Sequence, residues 1–154
     1  MAPEIREMRP GEAKQVVDMV RGLARHIGAD AIPRLTSQSL NSNRNLIDVV
    51  VAEEGGSVIG ACLTLMTFST WRGAKGLYVV DLFVEPQARG GKIGRELLKL
   101  AAARGLARGA CFIKLEVDHT NEGAARFYER LGFLRKDEDR IFVLESEKLR
   151  AFVA

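Results

Sequence analysis

The sequence predicts an α/β chain: a mixed, mostly antiparallel central sheet with helices on both faces. Three observations predict it. An amphipathic helix opens the chain, with Val16, Val20, Leu23 and Ile27 recurring at helical spacing. Three stretches rich in Val, Ile, Thr and Leu follow, joined by short glycine-containing turns of the kind that link antiparallel strands. Strand-like and helix-like stretches then alternate, and that order asks for a parallel crossover within the sheet.

The first helix spans 10–27. Pro10 suits its opening turn, where a missing N–H costs nothing. Residues 29–45 are polar and irregular, with a short helix after Thr36, and read as either a surface connection or a mobile substrate loop. Residues 46–52 and 58–68 form a hairpin across Glu53-Glu54-Gly55-Gly56. A third strand spans 76–84, after the turn-like Trp71-Arg72-Gly73. A helix opens at Ile93, with Ile93, Leu97, Leu100 and Ala101 on one face. A strand over 111–117 and a helix over 122–131 follow, and Gly132 is placed as a left-handed stop. A last short strand is expected at 141–144 and a terminal turn at 147–152.

A chain of 154 residues is expected to form one domain, 1–154, large enough to hold a core without staples. Its 47% hydrophobic and 28% charged residues are ordinary globular usage. Twenty-three Lys and Arg against 20 Asp and Glu leave a net charge of +3, too little to argue for a nucleic-acid partner and compatible with an anionic ligand. Cys62 and Cys111 stand far apart, and His26 and His119 are the only histidines, so neither a disulfide framework nor a metal site is expected. The apolar runs are too short to cross a membrane, and the N-terminus is charged, so a soluble cytoplasmic protein is expected.

Chemistry concentrates at Arg89-Gly90-Gly91-Lys92-Ile93-Gly94-Arg95, between a strand and a helix. The first N–H groups of a helix have no intrahelical partners and carry partial positive charge, and glycine lets a phosphate approach the backbone. These features suit an anion site and equally suit a tight connection with solvated basic residues. Two phosphate loops are excluded. Ile93 follows Lys92 where a P-loop needs Ser or Thr, and the glycines lack the Gly-x-Gly-x-x-Gly spacing of a dinucleotide fold.

The segment 81–94, DLFVEPQARGGKIG, resembles the acetyl-CoA motif of the GNAT acetyltransferases, with Gly and Lys exchanged at 91 and 92. A second motif, Asn121 followed by Phe127-Tyr128 and Leu131-Gly132-Phe133, lies downstream in the family's order. Within the superfamily the chain is most similar to the spermidine/spermine (diamine) acetyltransferases, through 23–36, Trp71-Arg72-Gly73 and 77–84. It departs from them at Val80, where those enzymes carry the Glu thought to serve as base.

The resemblance implies a GNAT fold whose splayed strand pair holds acetyl-CoA, used as cosubstrate without a metal. It implies direct transfer of acetyl to a primary amine of a small molecule. A protein or peptide acetyltransferase and a non-catalytic acyl-CoA-binding module are the alternatives. A bulge in the strand before the glycine turn would aim the backbone of Leu82, Phe83 and Val84 at the cofactor. Arg89, Gly90, Gly91, Lys92, Ile93, Gly94 and Arg95 would hold its pyrophosphate, and Asn121, Ala124 and Tyr128 would line it. Tyr128 is the candidate acid for the leaving sulfur. Asp81 is the candidate base beside the lost Glu; strand alternation points it away from the Val80 face unless the bulge re-aims it. Glu116 and Asp118, at the end of the neighbouring strand, are the alternative proton acceptors, acting through water, and equally suit an ordinary solvated strand end. His26, Val80, Asp81 and Glu116 are expected to line the acceptor site, and a homodimer is expected.

Overall fold

The computed structural model describes residues 2–26, 28–30, 32–90 and 92–154, with His26 described by its backbone alone. The chain divides into two compact units, Met1–Glu116 and Val117–Ala154.

The first unit is built on a five-stranded sheet. Its strands are β1 (Glu4–Glu7), β2 (Asp48–Glu54), β3 (Ser57–Ser69), β4 (Ala74–Val84) and β5 (Ile113–Lys114), in that spatial order. The first three pairings are antiparallel and β4–β5 is parallel, as the element order predicts. The helices are α1 (Ala13–His26), α2 (Ser37–Ser42) and α3 (Ile93–Ala107). The predicted helix from Pro10 begins as a 3-10 turn, Pro10–Glu12. Thr36 caps α2 by accepting a hydrogen bond from the Ser39 N–H at 3.0 Å. Strand β1 is absent from the sequence reading because Glu-Ile-Arg-Glu offers a single apolar residue. It forms because β2 offers it a backbone ladder, and because the Arg6 guanidinium grips Glu12 at 2.6 Å.

Alternation along the strands sorts the core into two layers. Val49, Val51, Ala61 and Leu63 pack with Val16 and Met19 of α1. The opposite face carries Val50, Cys62 and Leu77, all buried, and meets α3. Helix α3 lies close to the sheet at Gly60: a Cβ there would come 3.0 Å from Leu97 Cδ1 and 2.9 Å from the Phe83 carbonyl oxygen. Asp48, at the start of β2, ties α3 to the sheet through bidentate bonds from Arg104 at 2.6 and 2.8 Å. Burial works against the Asp48 charge, but the Arg104 bonds outweigh it and hold the carboxyl below its ordinary range.

Strand β5 is shorter than the predicted 111–117. Backbone bonds join Cys111 N–H to the Lys75 carbonyl at 2.9 Å and Leu77 N–H to the Phe112 carbonyl at 2.8 Å. The ladder itself covers only Leu77 with Ile113 and Tyr78 with Lys114.

The second unit holds α4 (Glu122–Arg130) and α5 (Ser146–Val153). Asn121 caps α4, its Oδ1 accepting from the Ala124 N–H at 3.1 Å. Gly132 stops the helix in the left-handed region, φ +99°, as the sequence predicts. Two expectations are corrected here. The terminal turn is a full helix, α5, and Ile141 to Leu144 form no strand among the described residues. Their apolar, partly β-branched composition fits a strand, but composition supplies no edge to pair with, and a strand exists only in a ladder. No helix among the described residues is long and apolar enough to cross a membrane.

Candidate active site

The site begins with a register shift. Thr64 pairs with Val79, and the next β3 residue back along the chain, Leu63, pairs with Asp81. Val80 is the extra residue of a bulge. Paired residues share a face, so Asp81 joins Leu63 and Leu65 on the face that carries Tyr78, the partner of Leu65. Unbroken alternation would have put Asp81 with Leu77 and Val79, against α3. The bulge therefore re-aims Asp81, and Val80 is left 38% exposed.

Burial lifts the Asp81 carboxyl to about 6. Tyr78 stands beside it. Burial raises the phenol, and the Glu116 carboxylate, as hydrogen-bond partner and charge, and Asp81 raise it further. On the other side of the sheet Cys62 is pushed up to about 12 by burial and by the charges of Asp48 and Asp81. At that value it remains a thiol and packs as a small apolar residue.

The sheet opens beyond Tyr78. Strand β4 continues six residues past it, to Val84, while its ladder with β5 stops there. The Glu85 N–H bonds the Ile59 carbonyl on β3 at 2.8 Å. Alternation back from Glu85 turns Asp81 and Phe83 N–H toward β3, and the N–H and C=O of Leu82 and Val84 toward the open edge. One of those groups is engaged: Arg89 Nε donates to the Val84 carbonyl at 3.0 Å. Of the three expected backbone positions, Leu82 and Val84 face the opening and Phe83 faces β3. The Phe83 side chain packs against the α1-side core.

The glycine turn follows directly. A 3-10 turn, Pro86–Ala88, leads to Gly90 at φ +88°, with no atom within 4 Å of where its Cβ would stand. Gly91 lies outside the described residues, as does the side chain of His26. Lys92 is the N-cap of α3 and makes no side-chain cap bond, so no side chain of its own occupies the N–H groups of Ile93, Gly94 and Arg95. Arg89, Lys92 and Arg95 are all exposed around them. This cradle fits a pyrophosphate: open space at the left-handed glycine, an uncapped helix start and three cations. A cleft of about 510 Å³ adjoins the start of the turn, lined among others by Gln15, Asp18, Met19, Ser57, Glu85 and Gln87.

In the second unit, Asn121 and Ala124 spend a polar group each on the α4 cap. The Tyr128 ring sits edge-on to Phe127 and Phe133, with centroids 5.1 and 5.4 Å away. Asp118, the other carboxylate near the end of the β5 segment, accepts the Thr120 N–H at 2.8 Å and serves its own loop. Among the described residues no cluster of His, Cys, Asp or Glu could hold a metal ion.

Residues 13–133 match the model of the Acetyltransferase (GNAT) family. The chain belongs to the GNAT acetyltransferases. A GNAT relative, the thialysine N-epsilon-acetyltransferase of Bos taurus, is 27% identical over 140 residues, covering 83% of this chain and 82% of its own. An integron cassette protein from the mobile metagenome of V. cholerae superposes with a TM-score of 0.80 at 23% identity, over 99% of this chain and 98% of its own. An aminoglycoside acetyltransferase from an uncultured soil metagenomic sample, in complex with sisomicin, gives 0.78 at 15% identity, over 94% and 97%. These structures speak to the GNAT fold. The curated relative acts on thialysine, so the resemblance to the spermidine/spermine subfamily is supported at the level of the GNAT family and not of that branch.

Tyr78 is the residue of this site that sequence reasoning missed. Its signal is a phenol three positions before a carboxylate, a spacing that shares a face only if a bulge intervenes.

Proposed function

We propose that this chain is an acetyl-CoA-dependent N-acetyltransferase that acts on a primary amine of a small molecule by direct attack. One observation carries the reading: the open edge of β4 leads, through a 3-10 turn and the left-handed Gly90, toward the uncapped start of α3, while the bulge at Val80 delivers Asp81 beside that edge. Acetyl-CoA supplies an acetyl group activated as a thioester. The turn at Arg89, Gly90, Lys92, Ile93, Gly94 and Arg95 holds its phosphates through N–H groups and cations. The backbone of Leu82 and Val84 binds its pantetheine amides as a neighbouring strand would, and the Arg89 side chain leaves the Val84 carbonyl when it does. Asp81 Oδ takes the proton from the acceptor ammonium, and Tyr128 Oη donates a hydrogen bond to the departing sulfur. The Tyr128 role rests on its place in the second family motif.

Binding is tested without turnover. Acetyl-CoA at about 100 times its Kd should add roughly 2.7 kcal/mol of stability, a melting shift of about 5–10 °C for a domain of this size. Gly90→Glu should abolish the shift, because glutamate disfavours the left-handed φ that shapes the turn and its carboxylate repels the phosphates. No shift in the parent protein, or an equal shift with ATP, overturns the cofactor assignment.

The acceptor proposed is thialysine-like: a small primary amine with less positive charge than spermine. The named relative and the absence of a carboxylate at position 80 both support it. Val80 is the exposed extra residue of the bulge, so Val80→Glu should fold normally. It should raise kcat/KM for spermidine relative to thialysine about tenfold, the worth of one added partly screened charge pair. An unchanged ratio would remove position 80 from the acceptor site.

A further inference from the structure

Tyr78 has no part in the chemistry assigned so far, yet it stands at the fork of the sheet. It is the last β4 residue paired with β5, through Lys114. Glu116 lies two residues beyond Lys114, just past the end of β5, and its carboxylate is near enough to the Tyr78 phenol to raise it as a charge and as a hydrogen-bond acceptor. The bulge brings Asp81 to the same face from the other direction. One phenol therefore sits between two carboxylates at the point where β4 and β5 part.

The two carboxylates differ in how they are held. Asp81 is half-buried in a strand fixed by its ladder to β3, whereas Glu116 is exposed, just past the end of a two-residue strand. A free glutamate there samples many rotamers, and ordering it on ligand binding costs affinity. A phenol O–H that donates to the carboxylate removes that cost beforehand.

We infer that Tyr78 is a positioning residue for the acceptor: its hydroxyl holds Glu116 so that Glu116 and Asp81 together receive the ammonium of a primary-amine substrate at the fork of the sheet. The inference rests on the acetyltransferase reading above and deepens it. The acceptor arrives as R–NH3+ between the two carboxylates. One N–H proton passes to Asp81 Oδ, leaving the neutral amine with its lone pair toward the open edge. Glu116 stays ionised and keeps the amine in place. Such a receptor rejects neutral acceptors, since an apolar or hydroxyl group there would leave two carboxylates without a counter-charge.

A double-mutant cycle tests it, using whichever of thialysine, spermidine and sisomicin the parent protein acetylates fastest. Tyr78→Phe keeps the ring and removes only the donor. It should raise the acceptor KM about tenfold, move kcat less than KM, and leave the acetyl-CoA KM and melting temperature in place. Glu116→Gln, an exposed change, should raise the acceptor KM similarly. The double variant should be no worse than Glu116→Gln alone, because the phenol acts only through that carboxylate. A parental acceptor KM in Tyr78→Phe, or KM effects that multiply in the double variant, overturns the inference while leaving the enzyme reading intact. A parent protein that neither turns over any of the three amines nor gains stability from acetyl-CoA overturns both.

Discussion

Asp81→Asn should lower kcat by about 10²- to 10³-fold at pH 7.5, within the usual reach of general-base catalysis. An alkyl ammonium titrates near 10 and an unperturbed carboxylate near 4, a gap of about six units. Burial lifts Asp81 to about 6, which closes about two of them. The rest must come from the acceptor side, where partial desolvation lowers the ammonium. The parent rate should therefore fall with acid on a limb near pH 6, and this limb should vanish in Asp81→Asn. The stability sign runs opposite to the activity sign. A carboxyl whose pKa is raised by folding keeps its proton between about pH 4 and 6 while the unfolded chain has lost it, so its contribution to stability falls as pH rises through that window. Above pH 6 the full cost of burying the charge is present. Asp81→Asn should therefore melt at or above the parent temperature at pH 7.5. A variant that loses activity and also melts lower would mark Asp81 as structural, and parental kcat would remove it from the chemistry.

The architecture was legible because each layer has its own period. The α1 stripe, the β2–β3 hairpin with its Gly55-Gly56 turn and the crossover from β4 through α3 all repeat at spacings that composition exposes. The short strands were not. β1 has one apolar residue, and residues 141–144 have strand composition without a ladder among the described residues. In both cases the partner edge decides, and an edge is a property of the folded sheet. The glycine turn was legible as a tight entry into a helix start flanked by cations because glycines, cations and a helix start coincide in sequence. The face of Asp81 was not: parity alone assigns it to Leu77 and Val79, and a single extra residue at Val80 reverses that. The same reversal hid Tyr78, whose neighbour across the bulge looks like its opposite in the sequence.

Tyr128→Phe should lower kcat by about 10²-fold while leaving the acetyl-CoA melting shift and the acceptor KM close to those of the parent. The ring makes edge-on contacts with Phe127 and Phe133, and phenylalanine keeps both. The ring packing of α4 is therefore retained, and what is removed is the oxygen. An ordinary phenol titrates near 10 and an alkyl thiol near 8.5, so full proton transfer from Oη to the sulfur is uphill by about 1.5 units, or about 2 kcal/mol. The hydroxyl then helps mainly as a hydrogen bond to a developing thiolate, which places the expected loss at the low end of acid catalysis. Because that bond forms only as the C–S bond breaks, its removal should appear in kcat and kcat/KM equally and leave ground-state binding alone. Single-turnover rates separate this step from product release. A parental single-turnover rate in Tyr128→Phe would return the tyrosine to a packing role on α4, and some other donor would have to serve the sulfur.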